Sequence, residues 1–109
     1  MYRPKQGDIV MMNFTPQAGH EQGGRRPALV ISNSSFHRYT QLAIVCPITT
    51  KVKEYPMHVR LDERTATAGE ILCEHVKSLD LNARMAAFVE ALPPDLLEEV
   101  LERVRLSIE

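Results

Sequence analysis

The residues with the greatest capacity for chemistry lie in one polar segment, residues 20–26, which runs His-Glu-Gln-Gly-Gly-Arg-Arg. An imidazole (His20) and a carboxylate (Glu21) precede two guanidinium groups (Arg25 and Arg26) across a pair of glycines. Cleavage of a phosphodiester needs a base for the nucleophile and cations that stabilise charge on the phosphoryl oxygens. Arginine suits the second role because its planar fork donates two hydrogen bonds to one phosphate. A solvated loop in which glutamate and arginine neutralise each other carries the same residues, and residue types alone favour that simpler interpretation.

Two further polar segments follow apolar runs. Their polar residues are Thr49, Thr50, Lys51, Glu74, His75 and Lys77. A hydroxyl such as that of Thr49 can hold a phosphate at the end of a strand, although threonine is also common there because of its β-propensity. His75 could carry a proton near neutral pH, but a histidine within a strand is more often structural. Each of these two signals is weak by itself.

The remaining residues indicate neither a metal site nor a cofactor site. Cys46 and Cys73 lie in apolar runs, which predicts buried thiols rather than a disulfide or metal ligands. The histidines are scattered along the chain at His20, His37, His58 and His75. The sequence contains no phosphate-binding glycine motif, paired-carboxylate site or nucleophile elbow. We therefore expect a protein without metal or cofactor.

The composition of the chain is that of an ordinary globular protein, with 44% hydrophobic and 25% charged residues. Its 109 residues predict one domain, 1–109, whose modest core favours a dimer. The net charge is −1, but residues 1–55 carry 7 Lys/Arg against 3 Asp/Glu and residues 56–109 carry 6 against 11. This asymmetry permits a local basic surface. The sequence shows no signal core or membrane-spanning stretch, so we expect a cytoplasmic protein with no membrane contact.

Apolar patterns predict about five short strands followed by one helix. The predicted strands are Asp8–Phe14, Pro27–Ser32, Leu42–Ile48, His58–Leu61 and Glu70–Ser78, the last with Ile71, Cys73 and Val76 inward. The predicted connections are Thr15–Arg25, Asn33–Thr40, Thr49–Tyr55 and Asp62–Ala68, and Leu81–Phe88 is open between a helical turn and a strand. A helix begins at Pro94, with an apolar stripe at Leu96, Leu97, Val100, Leu101 and Val104. The pattern indicates an α+β fold with a small antiparallel barrel or a strongly bent sheet.

The order of these segments closely resembles the MazF/PemK toxin family. The most specific part is G-x-E-Q-x-G-x-R-P, matched by Gly19, Glu21, Gln22, Gly24, Arg26 and Pro27. The segments G-D-I-V, L-A-I-V-C-P-I-T-T-K and V-K-S-L-D follow the family order from Gly7 to Asp80, and the terminal helix fits as well.

The resemblance implies an SH3-like antiparallel β-barrel with a C-terminal α-helix, assembled as a homodimer. It further implies the toxin of a type II toxin–antitoxin system, a metal-independent endoribonuclease that cuts single-stranded RNA, usually messenger RNA, at selected sequences. In that reaction the ribose 2′-hydroxyl attacks the adjacent phosphate and leaves a 2′,3′-cyclic phosphate and a 5′-hydroxyl, so DNA is not cut. The expected partner is a cognate acidic antitoxin, MazE-like, whose disordered tail folds over the RNA site.

The resemblance also implies roles for individual residues. Arg26 matches the catalytic arginine, Thr49 the catalytic threonine and Glu21 the loop glutamate. We expect them to stabilise phosphoryl charge, orient the substrate and act as the base, respectively. The expected substrate-binding residues are His20, Gln22, Arg25, Thr50, Lys51, Glu74, His75 and Lys77. A relative uses arginine and aspartate near Leu72 and Glu74, so that acid–base assignment does not transfer intact.

Three alternatives remain at this stage. The first keeps a related fold without nuclease activity, as in CcdB, which poisons DNA gyrase; the G-x-E-Q-x-G-x-R-P and P-x-T-T elements argue against it. The second is a catalytically silent RNA-binding module, which the 6% aromatic content and absence of Trp disfavour as a stacking platform. The third is a housekeeping domain whose polar loops are structural.

Overall fold

The computed structural model describes residues 1–14 and 24–109. The predicted loop Thr15–Arg25, with His20, Glu21 and Gln22, lies outside the described residues apart from its last two positions. The strands are β1 Asp8–Asn13, β2 Arg25–Val30, β3 Ala43–Thr49, β4 His58–Arg60, β5 Glu70–Leu72, β6 Lys77–Leu79 and β7 Ala87–Ala91. The helices are α1 Ser34–Thr40 and α2 Pro94–Ile108. No helix in the described parts of the chain is long and apolar enough to cross a bilayer.

All strand pairs are antiparallel, and β3 lies at the centre of the sheet. The strand order is β4-β5-β3-β2-β1-β7, and β6 also pairs with β3. One edge of β3 pairs with β2, while β6 and β5 share the other edge. The sheet and its C-terminal helix confirm the predicted α+β class. Among the described residues no pairing joins β4 to β7, so the SH3-like sheet does not close into a complete barrel.

The sheet buries apolar side chains on both faces, which explains the imperfect alternation of the β1 sequence. Ile9 packs into one core cluster, whereas Val10 and Met12 pack into the other. The first cluster is completed by α2, where Leu96 and Val100 are buried. The predicted helical stripe is confirmed, because the other three members of the stripe pack partly against the same cluster. Each fully buried aliphatic side chain contributes about 1.5–3 kcal/mol.

The prediction of a polar connection at Asn33–Thr40 is wrong, because this segment contains the helix α1. The Asn33 side chain accepts a hydrogen bond from the Phe36 backbone N–H at 2.9 Å, which caps the helix start. The helix ends at Gln41, whose φ of 62° is left-handed. No residue of α1 is buried, so the sequence shows no apolar stripe that would reveal it.

The predicted strand Glu70–Ser78 is also wrong in its continuity. It divides into β5 and β6, and between them residues 73–76 form a turn in which Val76 is exposed rather than inward. Ile71 pairs with Ile48 and Lys77 with Val45, so the second pairing is displaced by three residues from the first. The turn at residues 73–76 accommodates this displacement between the two registers, and Glu74 and His75 lie at its tip.

Two other predictions have clear outcomes. The open segment Leu81–Phe88 is a turn that ends in β7, with Leu81 buried beneath it. Of the two structures left open for this segment, the strand is correct for Ala87 and Phe88, and the turn is correct for the residues before them. Cys46 and Cys73 are buried free thiols, as expected.

Gly69 connects the fold to the end of β3 through a close approach. Its φ is +118°, and a Cβ atom there would lie 2.0 Å from the carbonyl oxygen of Thr49.

We predict that Gly69→Ala lowers the free energy of unfolding by at least about 1–3 kcal/mol, the range for strained backbone alone. Urea denaturation measures the change. Gly24→Ala is the matched control, because a Cβ there meets no atom within 4 Å; equal effects of the two substitutions would contradict the prediction.

Candidate functional site

A cavity of about 250 Å³ opens at the C-terminal end of β3. Its lining comes from the end of β3 and the loop that follows it, from the start of β4, and from β5 with the turn at residues 73–76. The lining residues are Thr49, Lys51, Lys53, Tyr55, His58, Leu72, Glu74 and His75. The structure thus brings together Thr49, Lys51, Glu74 and His75, which the sequence analysis took from two separate segments.

Arg26 approaches the same end of β3 from the neighbouring strand. The β2–β3 register pairs Ala28 with Pro47, and the same register continued by two residues sets Arg26 across from Thr49. Directly opposed residues of an antiparallel pair present their side chains on the same face. Arg26 is exposed, and on its other edge it pairs with Met12. The paired residues of the two strands end at Ala28 and Pro47, and Arg26 is not among the described residues that line the cavity. A joint action of Arg26 and Thr49 therefore stays a prediction.

Successive side chains of a strand point to opposite faces of the sheet, so Arg25 points away from the face of Arg26. Its guanidinium donates to the carbonyl oxygens of Met11 at 3.0 Å and Met85 at 2.9 Å, and to Asn13 Oδ1 at 3.4 Å. These bonds link β2 to β1 and to the turn before β7. Arg25 therefore serves the fold in this structure, whereas its predicted contact with substrate stays a prediction.

The other predicted site residues are distributed unevenly. Thr50 and Lys77 are exposed and lie outside the cavity's described lining. Glu21, His20 and Gln22 fall in the part of the chain that the structure does not describe. Lys51 donates its backbone N–H to Thr49 Oγ1 at 3.2 Å, which orients the hydroxyl of Thr49 at the cavity.

His58 and Glu70 were not predicted as site residues from the sequence, yet they form a cluster with Glu74 at the cavity, which His58 and Glu74 line. His58 Nδ1 lies 2.8 Å from Glu70 Oε1, and His58 Nε2 lies 2.8 Å from Glu74 Oε2. Both His58 and Glu70 are buried. A neutral imidazole has only one N–H donor, so hydrogen bonds to two carboxylates require the doubly protonated ring. The signal available in the sequence was a glutamate at the start of an apolar strand, since buried glutamate is rare unless it is paired.

The electrostatics of the cluster agree with an imidazolium between two carboxylates. Burial lowers the pKa of His58, but the hydrogen bonds to Glu74 and Glu70 outweigh it, and the pKa is raised above its ordinary value of 6.5. The pKa of Glu70 is lowered to about 2, mainly by the backbone N–H of Lys53 and further by His58. Burial raises the pKa of Glu74, yet the hydrogen bond from His58 outweighs this and lowers it.

Metal chemistry has no evident site in the described residues. Within 1–14 and 24–109, no group of three or more His, Cys, Asp or Glu side chains is placed to hold a metal ion.

The fold and the site together define a class of small α+β protein that collects a threonine, two lysines and a histidine–glutamate cluster at one end of an antiparallel sheet. A family model described as PemK-like, MazF-like toxin of type II toxin–antitoxin system matches residues 5–108. This chain belongs to the MazF/PemK toxin family.

Individual relatives are similar over almost the whole chain. The endoribonuclease toxin MazF of Escherichia coli strain K12 is 33% identical over 107 residues, 98% of this chain and 96% of that protein. Endoribonuclease EndoA of Bacillus subtilis strain 168 is 31% identical over 109 residues, 95% and 93% of the two chains. A crystal structure of MazE–MazF from Deinococcus radiodurans (Form-II) has a TM-score of 0.88 at 42% identity and covers 100% of both chains.

The His58 cluster predicts a pH dependence of stability. Because the pKa of His58 is raised in the folded state, its contribution is complete below 6.5 and is lost as pH rises through the raised value. We expect the difference in unfolding free energy between the wild type and His58→Asn to shrink as pH increases above 6.5. Urea denaturation over a pH series measures it.

Thr49→Val provides the control, because it changes another residue of the cavity lining without altering a titratable group. Its difference in unfolding free energy from the wild type should not vary with pH. A constant difference between the wild type and His58→Asn across the series would contradict the predicted imidazolium.

Proposed function

We propose that this chain is the toxin of a type II toxin–antitoxin system and a metal-independent, sequence-specific endoribonuclease acting on single-stranded RNA. The observation that carries the proposal is the cavity that brings Thr49 together with Lys51 and Lys53. The β2–β3 register, continued two residues beyond Ala28 and Pro47, would add Arg26 across from Thr49. Relatives over nearly the whole chain bear the name endoribonuclease. Messenger RNA as the substrate would make this a cytoplasmic activity.

The proposed reaction is an internal transesterification of RNA. The ribose 2′-oxygen forms a bond to the adjacent phosphorus and the bond from phosphorus to the 5′-oxygen breaks, which leaves a 2′,3′-cyclic phosphate and a 5′-hydroxyl. The 2′-hydroxyl proton passes to a base, for which Glu21 is our candidate, and the departing 5′-oxygen takes up a proton. Arg26 stabilises the charge that develops on the phosphoryl oxygens, and the Thr49 hydroxyl orients the phosphate.

The walls of the cavity supply groups suited to unpaired RNA. Lys51 and Lys53 provide positive charge for the sugar–phosphate backbone. The ring of Tyr55 is half exposed, with Lys53 Nζ 5.8 Å from its centre, and His75 is exposed nearby. Such rings stack on splayed bases, whose edges are accessible only in single strands. We propose that the loop at residues 50–57 and the turn at residues 73–76 select the bases.

The proposal includes two protein partners. A second copy of the chain forms a homodimer, in keeping with the small core, and a cognate acidic antitoxin of the MazE type covers the RNA site. The related protein from Deinococcus radiodurans was crystallised as MazE–MazF. The lysines of the cavity would attract the acidic segment as they attract RNA.

The first test is cleavage of a long single-stranded RNA by the purified protein in EDTA. We expect cuts at a recurrent short sequence, with 5′-hydroxyl and 2′,3′-cyclic phosphate ends identified by end mapping. Loss of one preorganised donor to the phosphoryl oxygens costs about 10²- to 10³-fold in kcat, so we expect at least that loss in Arg26→Ala. Thr49→Val, which keeps the shape and removes the hydroxyl, should also lower kcat.

The matched control is Arg105→Ala, an exposed arginine on α2 that pairs with Glu98. This variant should cut at the wild-type rate. If folded, antitoxin-free protein cuts none of several unrelated RNAs, the nuclease proposal fails, and inhibition of DNA gyrase becomes the next assay.

The antitoxin proposal predicts an electrostatic contact at the cavity. The product of a small acidic reading frame adjacent to this one should bind the protein and block RNA cleavage. Reversing two charges with Lys51→Glu and Lys53→Glu should weaken binding by titration calorimetry, and added salt should reduce the wild-type affinity. Arg105→Glu on α2 is the control for charge reversal alone. Equal weakening by the control, or no acidic partner, would contradict the proposal.

A further inference from the structure

The buried carboxylate of Glu70 receives three hydrogen bonds, two of them from the loop between β3 and β4. The backbone N–H groups of Lys53 and Glu54 donate to Glu70 Oε1 and Oε2 at 3.0 and 2.9 Å. His58 Nδ1 donates the third at 2.8 Å. Glu70 is only 1% exposed, so its side chain cannot contact a substrate. Its effect on the cavity must pass through the groups that it binds.

The loop adopts an unfavourable backbone conformation at the point where it meets this carboxylate. Glu54 has a φ of 58°, in the left-handed region that a residue with a side chain occupies at a cost. Such a conformation persists where surrounding contacts stabilise it. The two successive N–H groups of Lys53 and Glu54 converge on the one carboxylate of Glu70, which is such a contact.

The same residue is connected to two other parts of the cavity, once through its strand and once through its carboxylate. Glu70 pairs with Thr49 in the β3–β5 register. Through the ring of His58 it is also linked to Glu74, which accepts from His58 Nε2 at 2.8 Å and lines the cavity. Glu70 therefore pairs through its strand with the residue Thr49, and its carboxylate binds the loop that carries Lys53 and the histidine that holds Glu74.

We propose that Glu70 is a positioning residue for RNA cleavage, which holds Lys53 and, through His58, Glu74 around Thr49. This inference rests on the proposed ribonuclease function. Negative charge is necessary for the role, because an amide at this position has a single acceptor oxygen and an NH₂ group that would face a backbone N–H or the imidazolium.

The chain contains a matched carboxylate that holds a different loop. Glu90 in β7 accepts the backbone N–H groups of Ala66 and Thr67 at 3.0 and 2.8 Å, in the turn after β4. None of these three residues lines the cavity in the described structure. Substitution of Glu90 therefore removes the same kind of loop contact without altering the proposed site.

The experiment compares Glu70→Gln with Glu90→Gln in RNA cleavage and in urea denaturation. We expect kcat of Glu70→Gln to fall about 10- to 100-fold, as for a small misplacement of reacting groups, while Glu90→Gln loses stability but keeps the wild-type kcat. Binding of an RNA with a 2′-deoxy sugar at the cut position should weaken in Glu70→Gln by less than kcat falls, because Lys53 is one of several groups proposed to contact the RNA backbone. In Glu90→Gln this binding should be unchanged. Hydrogen exchange at the Lys53 and Glu54 amides should be faster in Glu70→Gln alone.

A shorter carboxylate at position 70 distinguishes an effect of the negative charge on kcat from a general loss of structure. Glu70→Asp keeps the charge and reaches fewer donors, so its kcat should lie between those of Glu70→Gln and the wild type. This variant also tests the inference if Glu70→Gln does not fold. Wild-type kcat in a folded Glu70 variant, or equal loss of kcat in Glu90→Gln, would overturn the inference alone. No cleavage by the wild type would overturn the proposed function together with it.

Discussion

The pairing of β3 along both of its edges is the constraint on which the rest of the site depends. On one edge β2 pairs Ala28 with Pro47, two residues before Thr49, and on the other edge β5 sets Glu70 opposite Thr49. A slip of one residue along β3 would turn each side chain to the opposite face of the sheet. It would move Cys46 and Ile48 out of one core cluster and Val45 out of the other, so the packing of both clusters specifies the register. Ala28, Leu29 and Cys46 are fully buried near these pairings. The apolar core therefore determines which polar side chains meet at the end of β3.

A buried ionic cluster at this position has an energetic cost that the surrounding hydrogen bonds must offset. Removing a carboxylate and an imidazolium from water is unfavourable, and their attraction compensates only when the remaining donors and acceptors are satisfied. Both ring nitrogens of His58 are bonded, and both oxygens of Glu70 accept backbone N–H groups. No buried side-chain nitrogen or oxygen in the described residues is without a hydrogen-bond partner. The cluster therefore fixes one arrangement of loop, ring and turn, since any partial arrangement would leave a buried charge uncompensated.

Local pattern was sufficient to predict part of this molecule from its sequence. The apolar stripe from Leu96 to Val104 predicted α2, and the short apolar runs predicted β1 to β4 within one or two residues of their ends. Pattern was insufficient where structure depends on pairing between distant segments. The division of Glu70–Ser78 follows from the different registers of β5 and β6 on β3. The helix α1 buries nothing, so only its cap at Asn33 could have indicated it.

The site shows the same division between local and long-range information. Thr49, Lys51 and Arg26 were identified through family motifs, and Thr49 and Lys51 lie together because Lys51 follows Thr49 by two residues at the end of β3. His58 and Glu70 have no motif; their importance arises because β4 and β5 pair and bury both side chains together. A glutamate that opens an apolar strand was visible, but its partners are 16 and 17 residues away in the chain, in a loop without periodicity.

The manner in which the loop is anchored also bears on how a basic cavity can be built in a protein with a net charge of −1. Glu70 holds the loop through backbone N–H groups, so the ammonium groups of Lys51 and Lys53 are not consumed by the anchor. An anchor made from side-chain ion pairs would have neutralised the same lysines that the proposed substrate requires. The carboxylate is buried and its charge is shared with His58, which limits the negative potential it adds to the cavity. Because Glu70 binds the backbone N–H groups of Lys53 and Glu54, the loop is anchored while its lysine side chains keep their positive charge for the cavity.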